Sequence, residues 1–366
     1  MRERNRNIDI IRAIMILWIA LYHAWVVCGA VPFSNSVADT LIRLGGEIGV
    51  TGFFMLSGFG IYYSLSSMEG AGKFDFKIFM KKRFQRILPQ YYISLIFVIL
   101  FMGGAEYLAK MHVWNLVSHV FLIHNLFPNA FGAINGVLWT MGVIVQFYIV
   151  SIFLYRGIKK WKLGFVGIAI VITVLSKALV INYLIPNIGD QYMLYGSRQL
   201  LSALDNFVWG MFIAFWSEKK IAPKWRYGIF SCAGIVMLEI WGDFGLKNGI
   251  YANHLSGYIW HSVIACILTM IFLSFICLPL NYEEGIVKRL LWISKYEYGI
   301  YLWHLVMFKN LYERAPVVQS LLQKGMRWVV FVIFLVLSVF VGWLFSVIID
   351  EWGKDKWRIW MEKTGE

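Results

Sequence analysis

IDIIRAIMILWIALYH, residues 8–23, threads three ionisable side chains, Asp9, Arg12 and His23, through an otherwise apolar run. Carried on to residue 29, the run reaches about 33 Å as a helix, enough to cross a hydrocarbon layer of about 30 Å. Asp9 and Arg12 stand three apart near one end and can pair on one face. His23 follows Arg12 by eleven residues, which returns it to within about 20° of the same face, about 16 Å further along the axis. The helix therefore presents one polar stripe, cationic near its start and carrying an imidazole in its far half. Polar groups in hydrocarbon are costly and face a partner or a cavity. Two readings follow. In one, the stripe is a packing seam, with Asp9–Arg12 as an ion pair and His23 bonded to a buried hydroxyl. In the other, His23 is a deep imidazole reached through a polar channel, where it can move a proton or accept an acyl group.

The rest of the chain agrees with a membrane setting. Of 366 residues, 59% are apolar and 15% charged, with 17 Trp, 19 Tyr and 28 Phe. Soluble domains carry about a quarter charged residues, so one water-soluble domain is excluded. The net charge of +13 suggests nucleic acid in a soluble protein, but no basic helix or Arg/aromatic patch stands outside the apolar stretches. Positive-inside bias and anionic headgroups account for it. Cys28, Cys232, Cys266 and Cys277 form neither a disulfide framework nor a CxxC pair. Arg2, Arg4 and Arg6 ahead of an apolar run mimic a signal peptide. The ionisable residues inside the run instead predict a retained first helix.

Apolar stretches of spanning length occur at 8–29, 48–66, 87–104, 134–155, 163–182, 199–216, 227–243, 257–279, 294–312 and 327–349. The expected fold is all-α, a polytopic integral membrane protein of about ten transmembrane helices. Residues 1–350 form the transmembrane domain and 351–366 a short cytoplasmic tail, too short for a further domain. The second stretch is rich in glycine (Gly49, Gly52, Gly58, Gly60), which suits close helix packing. With both termini inside and ten crossings, 24 of the 34 Lys and Arg fall on the inner side, including the clusters at 73–86, 156–162 and 219–226. Counting WNLVSHVFLIHNLF (114–127) as a crossing would move the 156–162 cluster outside. That segment is therefore read as interfacial or re-entrant on the outer side.

GFFMLSGFGIYY (52–63) leads through a loop into FMKKRFQRILPQYY (79–92). Arg83 and Arg86 share a helix face, and Pro89 would pin the start of the next helix. The run is an ordinary inner anchor or a phosphate clamp, since guanidinium offers paired donors to phosphate. Ser57 suits a local hydrogen bond better than a nucleophile. His304 reads as a helix–helix hydrogen bond or as a tunnel lining. His112, His119, His124, His254 and His261 lack ligand spacing or acidic partners, so no metal is expected. His119, His124 and Asn125, on the outer side, are candidate acceptor contacts.

Taken together, these blocks resemble the integral-membrane acyltransferase 3 family, whose members O-acylate surface carbohydrates. The resemblance rests on Arg12 and His23 with ten residues between them, and on GFFMLSGFGI followed by Arg83, Arg86, Pro89 and Tyr91. A late block completes it, SKYEYGIYLWH (294–304) with Tyr301, Trp303 and His304. The blocks lie in order across roughly 8–350. The resemblance implies an acyl-CoA donor at the cytoplasmic face, acetyl-CoA first, with Arg12, Arg83 and Arg86 serving its phosphates. His23 is then the catalytic residue, and an acyl group moves to a hydroxyl of an extracytoplasmic saccharide. No permanently bound cofactor is implied. Asp9, Ser57, Trp139, Tyr148, Tyr301, Trp303 and His304 are candidate supporting or tunnel-lining residues.

One departure stands out. Many relatives carry a Trp-Ser-Leu-x-x-Glu-Glu-x-Phe-Tyr run in the fourth helix. LWTMGVIVQFYIV (138–150) keeps Trp139, Gln146, Phe147 and Tyr148 but has Ile144 and Val145 where the acids would fall. Asp9, Asp205, Glu239 and Glu297 are candidate substitutes. The expected partners are acyl-CoA, the saccharide acceptor and membrane lipid, without nucleic acid; a homodimer or glycan-assembly partners stay open. The expected location is the cell membrane, multi-pass. The rival reading is a transporter or flippase for a glycan or acyl group, without transfer chemistry of its own.

Overall fold

Asn5 starts the first helix: its side-chain oxygen accepts the Asn7 backbone N–H at 3.0 Å, an N-cap that satisfies one of the free donors of the first turn. The computed structural model describes residues 5–29, 37–103, 112–219 and 224–351, and no strand occurs among them. Arg2, Arg4, Ala30, Pro32, Lys220, Pro223 and the tail beyond Glu351, with Lys354, Lys356, Arg358 and Lys363, lie outside the described residues.

Helix α1 (Arg6–Val27) is followed by the short α2 (Val37–Arg43) and the long α3 (Gly45–Gly70). Helix α4 (Phe76–Phe97) begins where Asp75 accepts the N–H groups of Lys77 and Ile78 at 2.7 and 3.2 Å. That cap corrects the sequence expectation. The basic run 81–86, placed ahead of a span starting at 87, is continuous with it in one helix, and Pro89 sits inside α4 rather than at its start. Its missing N–H leaves a carbonyl of the preceding turn without its helical partner. Helix α5 (Val113–Val120) follows, then α6 (Trp139–Trp161) and α7 (Leu163–Leu179), which runs on through a π-helical turn to Ile188. After these come α8 (Leu204–Ser217), α9 (Tyr227–Asn248), α10 (Leu255–Ile276), α11 (Gly285–Lys295), α12 (Glu297–Arg314), α13 (Pro316–Gln323) and α14 (Arg327–Ser346).

Among the described residues, eight helices are long and apolar enough to cross a membrane. A ninth counts if Asp190–Ser197 and Leu201–Ser217, bent by 69°, form one broken span. The one remaining expected span, 294–312, corresponds to α12, which carries too many polar and charged residues to count among them. The physical reason is its place in the bundle: Glu297, Tyr301, Trp303 and His304 are all buried among other helices, so α12 need not be apolar toward lipid. At eight residues, or about 12 Å, α5 does not cross.

Side-chain bonds sort the helix ends into two faces. Asn7 donates to the Phe275 carbonyl at 2.8 Å, Ser66 to Glu218 at 2.6 Å and Lys159 to Glu69 at 2.6 Å. The start of α1 and the ends of α3, α6, α8 and α10 therefore share one face, called here the basic face. At the other, Glu47 accepts from Tyr251 at 2.8 Å, lies 2.9 Å from His261 Nε2 and pairs with Arg198. Gln199 donates to the Asn125 carbonyl at 2.7 Å on this same side.

Helix α3 is the axis of the bundle. Gly49 and Gly52 lie against Ile19 and Met15 of α1, while Gly58 and Gly210 press α3 onto α8. A Cβ on Gly58 would meet the Phe207 carbonyl, and one on Gly210 the Met55 carbonyl. Small residues allow this backbone approach where apolar surface gains nothing by leaving lipid. The exposed apolar residues, such as Phe153, Ile240 and Val336, lie on outer helices facing the lipid.

Candidate functional site

A cavity of about 950 Å³ is lined by the starts of α1 and α12, the second half of α3, α4, the first half of α6 and the end of α8. Each of five helices contributes polar groups: Arg12 from α1, Ser57 and Ser64 from α3, Arg83 and Arg86 from α4, Tyr148 from α6 and Glu297 from α12. The three arginines expected to act together are thus brought to one hollow from two helices.

Arg83 is the most constrained of them. Its guanidinium donates to the Gly60 carbonyl at 2.9 Å and to the Ser64 hydroxyl. Its charge also sits 5.2 Å over the Phe79 ring and 5.9 Å over the Tyr148 ring, an arrangement that favours a weakly hydrated planar cation. Arg12 bonds Asp9 at 3.1 Å, the i,i+3 pair expected from spacing, and lies 3.9 Å from Glu297. Arg86, half exposed, meets the other Glu297 oxygen at 3.2 Å. Glu297 is therefore the carboxylate that bridges two of the three arginines. Ile144 also lines the hollow, with no acid of its own helix beside it. Of the candidate substitutes, Asp9 pairs with Arg12, whereas Asp205 lies toward the opposite face and receives no part in this cavity.

His23 does not line the cavity. Its Nδ1 lies 3.0 Å from the Ile19 carbonyl and 3.0 Å from Nε2 of His304, and the two rings are 4.9 Å apart. His304 is fully buried, with its Nδ1 3.0 Å from the Ile300 carbonyl. His304 therefore makes a helix–helix hydrogen bond, and its partner is His23. Two aromatic rings in succession connect the wall of the hollow to this pair. Phe53 lines the cavity and stacks on Tyr301 at 5.3 Å, and the Tyr301 ring lies 6.0 Å from that of His304. The Tyr301 hydroxyl is held by Thr140 at 2.7 Å and donates to the Val137 carbonyl at 2.9 Å.

The remaining expected residues fall elsewhere. Trp303 stacks on Phe345 at 3.8 Å, away from the cavity. Trp139 stacks on Phe131 and lies under the Arg198 guanidinium near the opposite face. His119 and His124 stack on each other at 4.0 Å, and burial pushes them down to about 4 and about 3, so both are neutral near pH 7. Asn125 is buried and takes a hydrogen bond from Gln146 at 3.1 Å. Among the described residues no cluster of three or more His, Cys, Asp or Glu is placed to hold a metal ion. Sequence reasoning missed Gly60, Ser64 and Phe53. Gly60 and Ser64 stand one helical turn apart beside the named Ser57, a spacing that was open to inspection.

The family sequence model described as "Acyltransferase domain" matches residues 5–347. The "Peptidoglycan O-acetyltransferase OatA" of Listeria monocytogenes serovar 1/2a is 27% identical over 327 residues, covering 83% of this chain and 49% of that protein. The "Putative peptidoglycan O-acetyltransferase YrhL" of Bacillus subtilis (strain 168) is 26% identical over 286 residues, 71% of this chain and 44% of that protein. A "Putative O-acetyltransferase" of Staphylococcus aureus (strain COL) is 25% identical over 338 residues, 84% and 51%. The chain spans about half the length of the curated relatives it matches. No solved structure matches it.

Proposed function

The chain belongs to the acyltransferase family whose domain covers residues 5–347, and from that premise we propose that it carries an acetyl group from cytoplasmic acetyl-CoA to a hydroxyl of an extracytoplasmic carbohydrate. The supporting observation is the cavity that gathers Arg12, Arg83 and Arg86 toward the basic face, with Arg12 on the same helix and the same stripe as His23. Guanidinium groups suit the phosphates of the donor. The bent pair and α12 complete ten crossings in this reading, with the basic face and both termini cytoplasmic. Two relatives named as peptidoglycan O-acetyltransferases make a cell-wall glycan the first acceptor to test.

In this mechanism the arginines hold the phosphates, and the thioester arm extends along α1 toward His23. The Arg12–His23 stripe measures about 16 Å, comparable to an extended arm. The arm must pass the Phe53–Tyr301 layer, so donor binding has to move those rings. His23 then acts as general base on the acceptor hydroxyl or carries the acyl group itself. Either way the acyl carbon leaves sulfur and ends on oxygen, and the hydroxyl proton ends on the CoA thiol.

The test is His23→Ala, read as alkali-labile acetate on the surface glycan. Acetylation should vanish while the unmodified glycan is still exported. Loss of export itself would instead assign the chain to transport. Rapid-quench trapping of an acyl group on residue 23 separates the covalent route from the general-base route.

A further inference from the structure

Two imidazoles bonded nitrogen to nitrogen leave little freedom in where the protons sit. Among the described residues no carboxylate bonds to either ring of the His23–His304 pair, and each neutral ring carries one proton. Nδ1 of His304 lies 3.0 Å from the Ile300 carbonyl, and a carbonyl oxygen accepts only, so that nitrogen bears the hydrogen. Nε2 of His304 is then a lone pair. It stands 3.0 Å from Nδ1 of His23, which also faces the Ile19 carbonyl at 3.0 Å. A proton on His23 Nδ1 serves both acceptors. The reverse assignment would point two ring lone pairs at two carbonyl oxygens.

We infer that His304 is a positioning residue for His23: it fixes the tautomer in which Nδ1 holds the proton and Nε2 offers the lone pair. The inference rests on the reading of His23 as the catalytic residue. Each ring is anchored by a carbonyl one turn back on its own helix, Ile19 on α1 and Ile300 on α12. The pair therefore ties the tautomer to the packing of two helices. The His304 side is fully buried, whereas His23 keeps partial exposure, so the open end of the dyad is the His23 end. When Nε2 takes the proton of the acceptor hydroxyl, the oxygen forms its bond to the acyl carbon and the carbon–sulfur bond breaks. The departing sulfur then receives that proton from Nε2. Throughout, Nδ1–H stays on His23 and its bond to His304 becomes charge-assisted while the ring is cationic.

The experiment compares His304→Leu, His304→Gln and His23→Ala in the full chain. Glutamine places a carbonyl oxygen near the Nε2 position and can accept from His23 Nδ1–H, whereas leucine cannot. Solid-state NMR of protein labelled with nitrogen-15 at its 7 histidines should show a His23 Nδ1–H donor bonded to a ring nitrogen. That coupling should disappear in His304→Leu and in His23→Ala alike. Release of thiol from acetyl-CoA in the presence of purified cell-wall glycan, together with glycan acetate in cells, should fall about 100-fold in His304→Leu through kcat, with KM for acetyl-CoA unchanged. His304→Gln should recover to within about tenfold of the parent. A parent spectrum with the proton on His23 Nε2 overturns the inference, as does a His304→Leu protein that keeps its kcat. If His23→Ala also keeps full activity, the functional reading of His23 has failed and not the tautomer assignment alone.

Discussion

Arg83 arrives at its post before any ligand does. Gly60 and Ser64 take its hydrogen bonds, and Phe79 and Tyr148 lie beneath its charge. A lysine brings a point charge and no planar fork. Arg83→Lys should raise KM for acetyl-CoA about tenfold and leave kcat within about twofold; steady-state kinetics with an unchanged KM would remove Arg83 from donor binding. At this scale the sequence was informative wherever helical periodicity could speak. Arg12 and His23 share a stripe because eleven residues close three turns, and Asp9–Arg12 pairs at i,i+3 as expected. His304 as the partner of His23 could not be read that way. The two are 281 positions apart, and nothing in one sequence says which helices become neighbours. Glu297 suffered the same blindness: it was nameable as a buried acid, but its bridge between Arg12 and Arg86 exists only once α1, α4 and α12 are packed.

Among the helices, the crossing of α3 and α8 is the tightest joint. Glycine enrichment in the second apolar stretch announced a close contact, yet its partner, Gly210 on α8, carried no comparable signal. A methyl group at Gly210 would press on the Met55 carbonyl, which is backbone and cannot swing aside. Overpacking of this kind costs about 1–3 kcal/mol and occasionally more. Gly210→Ala should lower the thermal midpoint in detergent by several degrees or prevent accumulation in the membrane. Gly164→Ala, on α7 with nothing within 4 Å of the added carbon, should leave both unchanged. Equal behaviour of the two variants would mean that the crossing is looser than described. Helix boundaries were legible only where hydropathy changed. Helix α4 starts at a capping aspartate twelve residues before the apolar run, because a cap and a basic stretch are compatible with helix and invisible to hydropathy.

For the molecule as a whole, sequence and structure meet in the sorting of charge. Among the described residues, the basic ends of α4 and α6 and the start of α1 lie on one face, where Lys159–Glu69, Ser66–Glu218 and Asn7–Phe275 join the helix ends. The number of crossings was less legible, since α12 spends its polar residues inward and so lacks the uniform apolarity of a lipid-facing span. The orientation has a direct check. In a background lacking Cys28, Cys232, Cys266 and Cys277, Lys160→Cys should react with an impermeant maleimide only after the cells are opened. Leu126→Cys should react in intact cells. The opposite pattern would turn the molecule over and place its arginines where no cytoplasmic thioester can reach them.

The rings of Phe53 and Tyr301, standing between the arginine-lined hollow and the imidazole pair, bear on the energy economy of the host cell. An open bore running from the hollow past the imidazoles to the opposite face would be a leak for hydrogen ions, draining the gradient on which ATP synthesis depends. For the reaction proposed above, stacked rings that part for the thioester arm and close behind it would keep the bilayer an insulator between turnovers.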